Sequence, residues 1–292
     1  SIIDLSAAGH QPMVSPCGRY VVVFNGEVYN YLELRQELER LGCRFSGSGD
    51  TEVVLTAFTH WGPDCLARFN GMFALAILDQ GTESSPRRLF LARDRVGKKP
   101  LYYQHDAQGL RFGSELKTLD TGAGLDLQAL NHYLALGYVP ADRCLARGVR
   151  KLPPAHAAEY LPGTGVLRVW RYWSLPALQA AAGADPQALA DEAQALLLDA
   201  VRIRLRSDVP VGVLLSGGLD SSLVAACAAQ AAGRTIKTFT ISFPGTRYDE
   251  ASHALQVARH FATDHHVLEL PQPTLSALDG LAQLGQPGER RL

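Results

Sequence analysis

Cysteine is scarce and scattered. Five occur in 292 residues (Cys17, Cys43, Cys65, Cys144, Cys227), with no CxxC pair and no metal-ligand spacing. A chain of this length does not need disulfide staples, so reduced thiols in a cytoplasmic protein are expected. Long apolar runs are missing as well: none reaches the roughly 18 residues that cross a bilayer. The opening, SIIDLSAAGHQPM, has neither the basic flank nor the apolar stretch of an export signal. An excess of either charge is also absent. With 28 basic and 29 acidic side chains the net charge is −1, and no sequence-wide field favours nucleic acid or an anionic membrane. There is no initiating methionine, so a fragment is expected. What is present, 47 % apolar residues, suffices for two domains with their own cores and argues against disorder.

Hydrophobic spacing divides the chain. Residues 20–24 (YVVVF) read as a buried strand, with turn chemistry in the following NGE. Residues 31–41 and 52–61 have helical spacing, the first ending at Gly42, the second preceded by Asp50 and Thr51 as candidate caps. Residues 72–78 and 88–92 read as a hairpin, residues 101–104 and 110–113 as further strands, and residues 127–136 as a helix. Hairpins imply antiparallel pairing. The Pro- and Gly-punctuated stretch 152–174 reads as a boundary. Beyond it come a long helical stretch (186–206) in an alanine-rich region near Ala180 and Ala200, a strand (211–215), a helix (221–232) and a strand (235–242). Strand, helix and strand within about 35 residues make a βαβ unit with a parallel sheet.

The segment VPVGVLLSGGLDSSLVAACAA, residues 209–229, carries the most chemistry. A buried strand ends at Leu215, Ser216, Gly217 and Gly218 allow a sharp turn, and a helix begins near Asp220, Ser221 and Ser222. Free N–H groups at a helix start, joined to a glycine turn and hydroxyls, form a concave anion site suited to pyrophosphate. The bland alternative is a corner in which Ser221 or Asp220 caps the helix. No lysine follows, so this is not the G-x-x-x-x-G-K-S loop, and it is not a dinucleotide G-x-G-x-x-G turn. An acidic residue inside an anion site suits a divalent cation bridging Asp220 to phosphates.

SGGLDSS resembles the pyrophosphate loop of ATP pyrophosphatases, and residues 237–270 resemble the stretch that follows it in asparagine synthetases. In the first half, FNGEVYNY, SGSGDTEVVL, RFNGMFALAILD, LFLARDRVGKKPLYY and FGSELKTL resemble the class II glutamine amidotransferase domain of glutamine-hydrolysing asparagine synthetases. Nearly the whole chain is covered. The resemblance implies an α/β and α+β protein: an incomplete Ntn-hydrolase-like αββα antiparallel sandwich over residues 1–173, then a doubly wound parallel sheet of the ATP-pyrophosphatase (adenine nucleotide alpha hydrolase-like) type over residues 174–292. It implies a cytoplasmic ligase of asparagine biosynthesis with glutamine, aspartate and ATP as partners and ATP and Mg2+ as cofactors. Ammonia released from glutamine attacks a β-aspartyl adenylate; no nucleic acid or membrane is involved, and a homodimer is left open.

Carried onto this chain, the family's oxyanion and glutamine-binding positions fall on Asn25 and Gly26. Glu27 and Asp50 hold the amino group, and the backbone at Ile2 and Ile3 borders the carboxylate end. Alone, NGE is a turn and Asp50 a cap. For ATP, Ser216, Gly217, Gly218, Asp220, Ser221 and Ser222 bind phosphates, Asp220 meets magnesium through pyrophosphate, and Leu214 and Ile241 flank the adenine or simply pack. His265 and His266 are read as ordinary polar residues, and RDRVGKKP as structural. The pattern breaks at the ends: the family's nucleophilic cysteine is absent, Ser1 lies inside the domain, and neither Cys17 nor Cys43 matches its place. Residues 281–292 (LAQLGQPGERRL) depart from the family after Pro287. The expectation is a chain truncated at both ends, without glutaminase activity and with at most weak ATP binding. The competing readings are a same-scaffold amidotransferase acting on another carboxylate, in polysaccharide assembly or β-lactam synthesis, and a non-catalytic nucleotide-binding remnant.

Overall fold

Alternation of side-chain size along single strands organises the first half. The computed structural model describes residues 2–119, 121–177 and 185–270. Ser1, the 281–292 segment and Ala180 lie outside the described residues. The chain divides into two units, Ser1–Leu178 and Gln179–Leu292. In the first, β1 (Met13–Val14), β2 (Tyr20–Val28), β3 (Gly71–Asp79) and β4 (Arg88–Arg93) join a six-stranded sheet with β8 (His156–Leu161) and β9 (Val166–Arg171), in the order β1-β2-β3-β4-β8-β9. Every pairing in it is antiparallel. A second sheet, β6-β5-β7, is formed by β5 (Tyr102–Asp106), β6 (Gly109–Gly113) and β7 (Arg150–Lys151).

Strand β3, GMFALAILD, is buried on both faces because it lies between two layers. Its large residues Phe73, Leu75 and Ile77 join Leu34 and Leu38 of α1 (Tyr31–Arg40) and Val53, Val54 and Leu55 of α2 (Asp50–Trp61) in the main core. Its small residues Ala74 and Ala76 face Leu101, Tyr103 and Leu152, so the second sheet packs close. Each fully buried Leu, Ile or Phe contributes about 1.5–3 kcal/mol. Beyond the small sheet, Leu119, Cys144, Ala146 and Val149 pack around Tyr102 in the segment that carries α3 (Leu127–Leu136). Asp126 caps that helix through the N–H groups of Gln128 and Ala129, and Gly137 ends it with φ +76°.

Two expectations of local structure are corrected. NGE is not a turn but the continuation of β2, with Asn25, Gly26 and Glu27 paired to Ala74, Phe73 and Met72. Gly26 is required by proximity, since a Cβ there would lie 2.1 Å from the Met72 carbonyl oxygen. Asp50 and Thr51 do not cap α2. The cap residue is Gly49, without a side-chain bond, because the Asp50 carboxylate is drawn instead to the Val28 N–H at 2.9 Å.

RDRVGKKP is the brace of this unit. The Asp94 carboxylate, fully buried, accepts from the N–H groups of Phe73 (3.2 Å), Val96 (3.2 Å), Lys98 (3.0 Å) and Lys99 (2.9 Å). The Arg93 guanidinium donates to the carbonyls of Lys99, Gly97 and Leu152. One loop is thereby tied to β3 and to Leu152, the residue after β7.

In the second unit, β10 (Gly212–Leu214), β11 (Lys237–Ser242) and β12 (Asp264–Glu269) form a parallel sheet in the order β10-β11-β12. The expected change from antiparallel to parallel architecture is observed. Among its described residues lie the helices α4 (Pro186–Arg204), capped by Asp185, α5 (Leu219–Ala231) and α6 (Ala251–His260). Val213 and Leu215 pack on α5, the former also touching α4 and the latter α6. No helix among the described residues is long and apolar enough to cross a membrane.

Replacing Asp94 by alanine leaves four inward N–H groups without an acceptor. The expected loss is on the order of 3 kcal/mol, read as a lower urea midpoint for the first unit. A change below about 0.5 kcal/mol, the usual size for a surface substitution, contradicts the brace.

Candidate functional site

In the first unit, strand β2 and the first turn of α2 bring two carboxyl groups together. Glu27 and Asp50 are 8 % and 3 % exposed, and their carboxyl groups lie close enough to perturb one another. Asp50 is anchored through Oδ2 by the Val28 N–H, and Glu27 Oε2 is buried without a partner. Burial pushes both carboxyl groups up, and the neighbouring Asp50 charge raises Glu27 further. Like charges this close resist joint ionisation, so a cation with several N–H donors is the group that completes them. An ammonium has that chemistry.

Asn25 lies two residues before Glu27 and so on the same face of β2. It is exposed, and its Nδ2 donates to Ser114 Oγ at 2.9 Å. Behind it is a hollow of about 220 Å³ lined by Gln11, Phe24, Leu101, Phe112 and Ser114, among others. Gln11 Oε1 accepts the Phe24 N–H at 2.6 Å, fixing the backbone just before Asn25.

Ile3 is buried and Ile2 is 37 % exposed. The segment that contains them is held by Asp4, which sequence reasoning missed. Its Oδ2 accepts the Ser48 N–H at 2.8 Å and its Oδ1 the Ser6 N–H at 3.1 Å. Hydrogen bonds from Ser6 and Ser48 hold the Asp4 carboxyl below the usual carboxylate range. A Cβ at Gly47 would stand 2.7 Å from Asp4 Oδ2, and one at Gly49 3.0 Å from Asp4 Cβ. The glycines of SGSGD were the signal. The structure thus brings Asp4 against the loop that leads into Asp50, and Ile3 with it. Cys17 lines a different hollow, with Arg19, Tyr20 and Thr59. Cys43 follows the end of α1.

In the second unit, β10 runs into Ser216, Gly217 and Gly218, and α5 begins. The helix cap is Gly218, with no side-chain bond, so the capping role considered for Ser221 or Asp220 is not taken. The loop serines bind the loop itself: Ser216 N–H donates to Ser221 Oγ at 3.2 Å, and the Ser221 and Ser222 hydroxyls donate to the Gly218 carbonyl at 3.1 and 2.7 Å. Gly217 has φ +82°, and a Cβ there would lie 2.6 Å from Ala254 N and 2.7 Å from His253 Cβ. The loop is pressed on α6 and needs glycine. First-turn N–H groups lack intrahelical partners in any α-helix. Here no side chain caps them, and the donor set suits a phosphate group. Asp220, exposed at the second helical position, fits such a site through a bridging cation.

Beside the loop is a cleft of about 390 Å³ lined by Leu214, Ser216, Ser221, Phe239, Ile241, Phe243, Tyr248 and Glu250. Leu214 is 76 % and Ile241 49 % exposed, so both border the cleft instead of filling the core. Phe239, Phe243, Tyr248 and Glu250 were not anticipated. The signal was the alternation in KTFTIS, which is inverted: Thr238, Thr240 and Ser242 are buried, and Lys237, Phe239 and Ile241 are exposed. The buried hydroxyls are satisfied, Thr240 by the Leu215 carbonyl and Ser242 by Asp249. His265 Nδ1 is within 2.9 Å of Thr238 Oγ1, and His266 stacks on Phe239 with ring centres 5.2 Å apart.

The glutamine amidotransferase domain family matches residues 1–173 and the asparagine synthase family residues 192–284. A Methanocaldococcus jannaschii protein provisionally named glutamine-hydrolysing asparagine synthetase 2 is 36 % identical over 287 residues, 91 % of this chain and 54 % of its own length. A Mycobacterium tuberculosis protein provisionally named glutamine-hydrolysing asparagine synthetase is 40 % identical over 297 residues, 93 % of this chain and 44 % of its own. The Bacillus subtilis glutamine-hydrolysing asparagine synthetase 3 is 33 % identical, over 94 % of this chain and 47 % of its own. The chain spans about half the length of the curated relatives it matches.

The carboxyl pair makes stability depend on pH. Glu27 keeps its proton in the folded chain above its ordinary value of 4.5, so unfolding releases a proton in that window and stability falls as pH rises through it. The thermal midpoint is expected to drop between about pH 5 and pH 8, and Glu27→Gln should flatten the drop. Parallel profiles for the two proteins contradict the raised carboxyl.

Proposed function

The chain belongs to the family of glutamine-hydrolysing asparagine synthetases, and from that premise we propose that it forms part of a cytoplasmic ligase that makes asparagine from aspartate, ATP and glutamine. Residues 1–173 serve glutamine hydrolysis and residues 174–292 ATP use. The observation that carries the reading is the turn after β10, where α5 starts on a glycine with no side-chain cap beside an apolar cleft.

A carboxylate is a poor electrophile because its leaving group would be an oxide. Attack of the aspartate β-carboxylate on the α-phosphorus of ATP expels pyrophosphate and leaves an acyl phosphate ester, whose AMP group departs readily when ammonia adds. Negative charge accumulates on the departing pyrophosphate. The amides at the start of α5 are the donors suited to it, the hydroxyls of Ser216, Ser221 and Ser222 join them on turning from their bonds within the loop to the phosphates, and Leu214 and Ile241 flank the adenine. Asp220 is the residue that would hold magnesium here, and the ion would supply positive charge against that developing on the phosphates.

In the glutamine half, the Glu27–Asp50 pair receives the α-ammonium, the partnerless Glu27 Oε2 supporting that role. The backbone at Ile2 and Ile3 borders the carboxylate end. The Asn25 amide and the Gly26 N–H donate to the oxyanion that forms when the side-chain amide is attacked.

With the full-length protein, aspartate carrying 18O in its β-carboxylate is expected to transfer one label to AMP; unlabelled AMP, or ADP in its place, refutes adenylation. Asp220→Ala should abolish pyrophosphate release while sparing glutamine hydrolysis, and equal loss of both refutes the division of labour. Asn25→Ala should slow glutamine hydrolysis by about 10²–10³ and leave ammonia-dependent synthesis intact.

A further inference from the structure

The terminal torsion of an asparagine side chain is broad, with no sharp rotamer well to hold the amide plane. An exposed asparagine that must aim an N–H at a developing charge therefore needs a second group to fix it. Asn25 is exposed, and its backbone is already fixed: Phe24 N–H is held by Gln11, and Asn25 itself pairs with Ala74 of β3. The amide plane is the freedom that remains. Ser114 Oγ, 2.9 Å from Nδ2, takes one of its two hydrogens.

We propose that Ser114 is a positioning residue for glutamine hydrolysis: its hydroxyl pins the Asn25 carboxamide so that the second Nδ2 hydrogen is presented to the oxyanion. This rests on the role given to Asn25 above. Ser114 is itself set by the fold. It directly follows Gly113, the last residue of β6, where a Cβ would stand 2.0 Å from Thr118 Oγ1. The Thr118 hydroxyl donates to the Glu115 carbonyl at 2.7 Å and closes the short helical turn Leu116–Thr118. Glycine at 113 leaves room for the Thr118 hydroxyl, and that turn delivers Ser114 to Asn25 across 89 residues of sequence. Donors fixed before reaction cost no reorganisation when charge develops, which is why a pin on the amide affects rate.

Because the pin acts in the transition state, its loss should lower kcat and leave the glutamine KM nearly unchanged. The test is a four-way cycle in the full-length protein, measuring glutamine hydrolysis for wild type, Ser114→Ala, Asn25→Ala and the double variant. Ser114→Ala is expected to lower kcat about tenfold, less than outright removal of the donor, with KM held within about twofold. Ser114→Thr, which keeps the hydroxyl, should recover most of the rate. In the Asn25→Ala background, Ser114→Ala should have no further effect. Wild-type kcat in Ser114→Ala, failure of threonine to rescue, or the same tenfold loss without Asn25 overturns the proposal while the role of Asn25 stands. If Asn25→Ala alone leaves hydrolysis unchanged, the role of Asn25 falls and that of Ser114 with it.

Discussion

Backbones can meet only as closely as the side chains between them allow, and this protein removes the side chain where its sites are built. At Gly26 a Cβ would sit 2.1 Å from a carbonyl oxygen of β3, and at Gly71 2.3 Å from one of β2. Those contacts keep β2 in the sheet through Val28, so that Asn25, Glu27 and the N–H that anchors Asp50 follow in fixed register. At Gly217 the same constraint presses the loop after β10 on the start of α6. Both halves thus use absent methyl groups to place charged or polar atoms that local propensity alone would leave in turns.

Such placement opposes stability locally. Two buried carboxyl groups repel, and a helix starting on glycine gives up the few tenths of a kcal/mol by which a side-chain cap exceeds it. The offsets lie elsewhere. Asp126 and Asp185 cap helices α3 and α4 through side-chain bonds, and Asp94 gathers four backbone N–H groups beneath β3. Helices α3 and α4 are closed by side chains, whereas α5, in the proposed phosphate cradle, starts without a side-chain cap, as do α1, α2 and α6.

Much of this was legible in the sequence where one local signal dominated. The strand at MFALAIL, the helix from 127 to 136 and the strand–SGG–helix order were readable because period and glycine punctuation agree with the tertiary outcome. NGE misled because glycine permits a turn as well as a close cross-strand approach, and only the partner strand decides which occurs. Asp50 misled for the same reason: a residue suited to capping was drawn to Val28 across the fold. Asp4, Ser114 and the exposed side of β11 were hidden because their meaning depends on contacts tens of residues away. In β11 the usual inference from apolarity to burial is reversed, since Phe239 and Ile241 line a cleft and the threonines are interior.

The central claim is that the amides between Ser216 and Ser222 hold the two phosphates that leave ATP. Hydrogen exchange of the full-length protein, with and without magnesium pyrophosphate, reads those amides directly. The account predicts slowed exchange concentrated in the peptide that spans residues 216–222. Exchange there that is unchanged at saturating pyrophosphate, or protection confined to other segments, would contradict it.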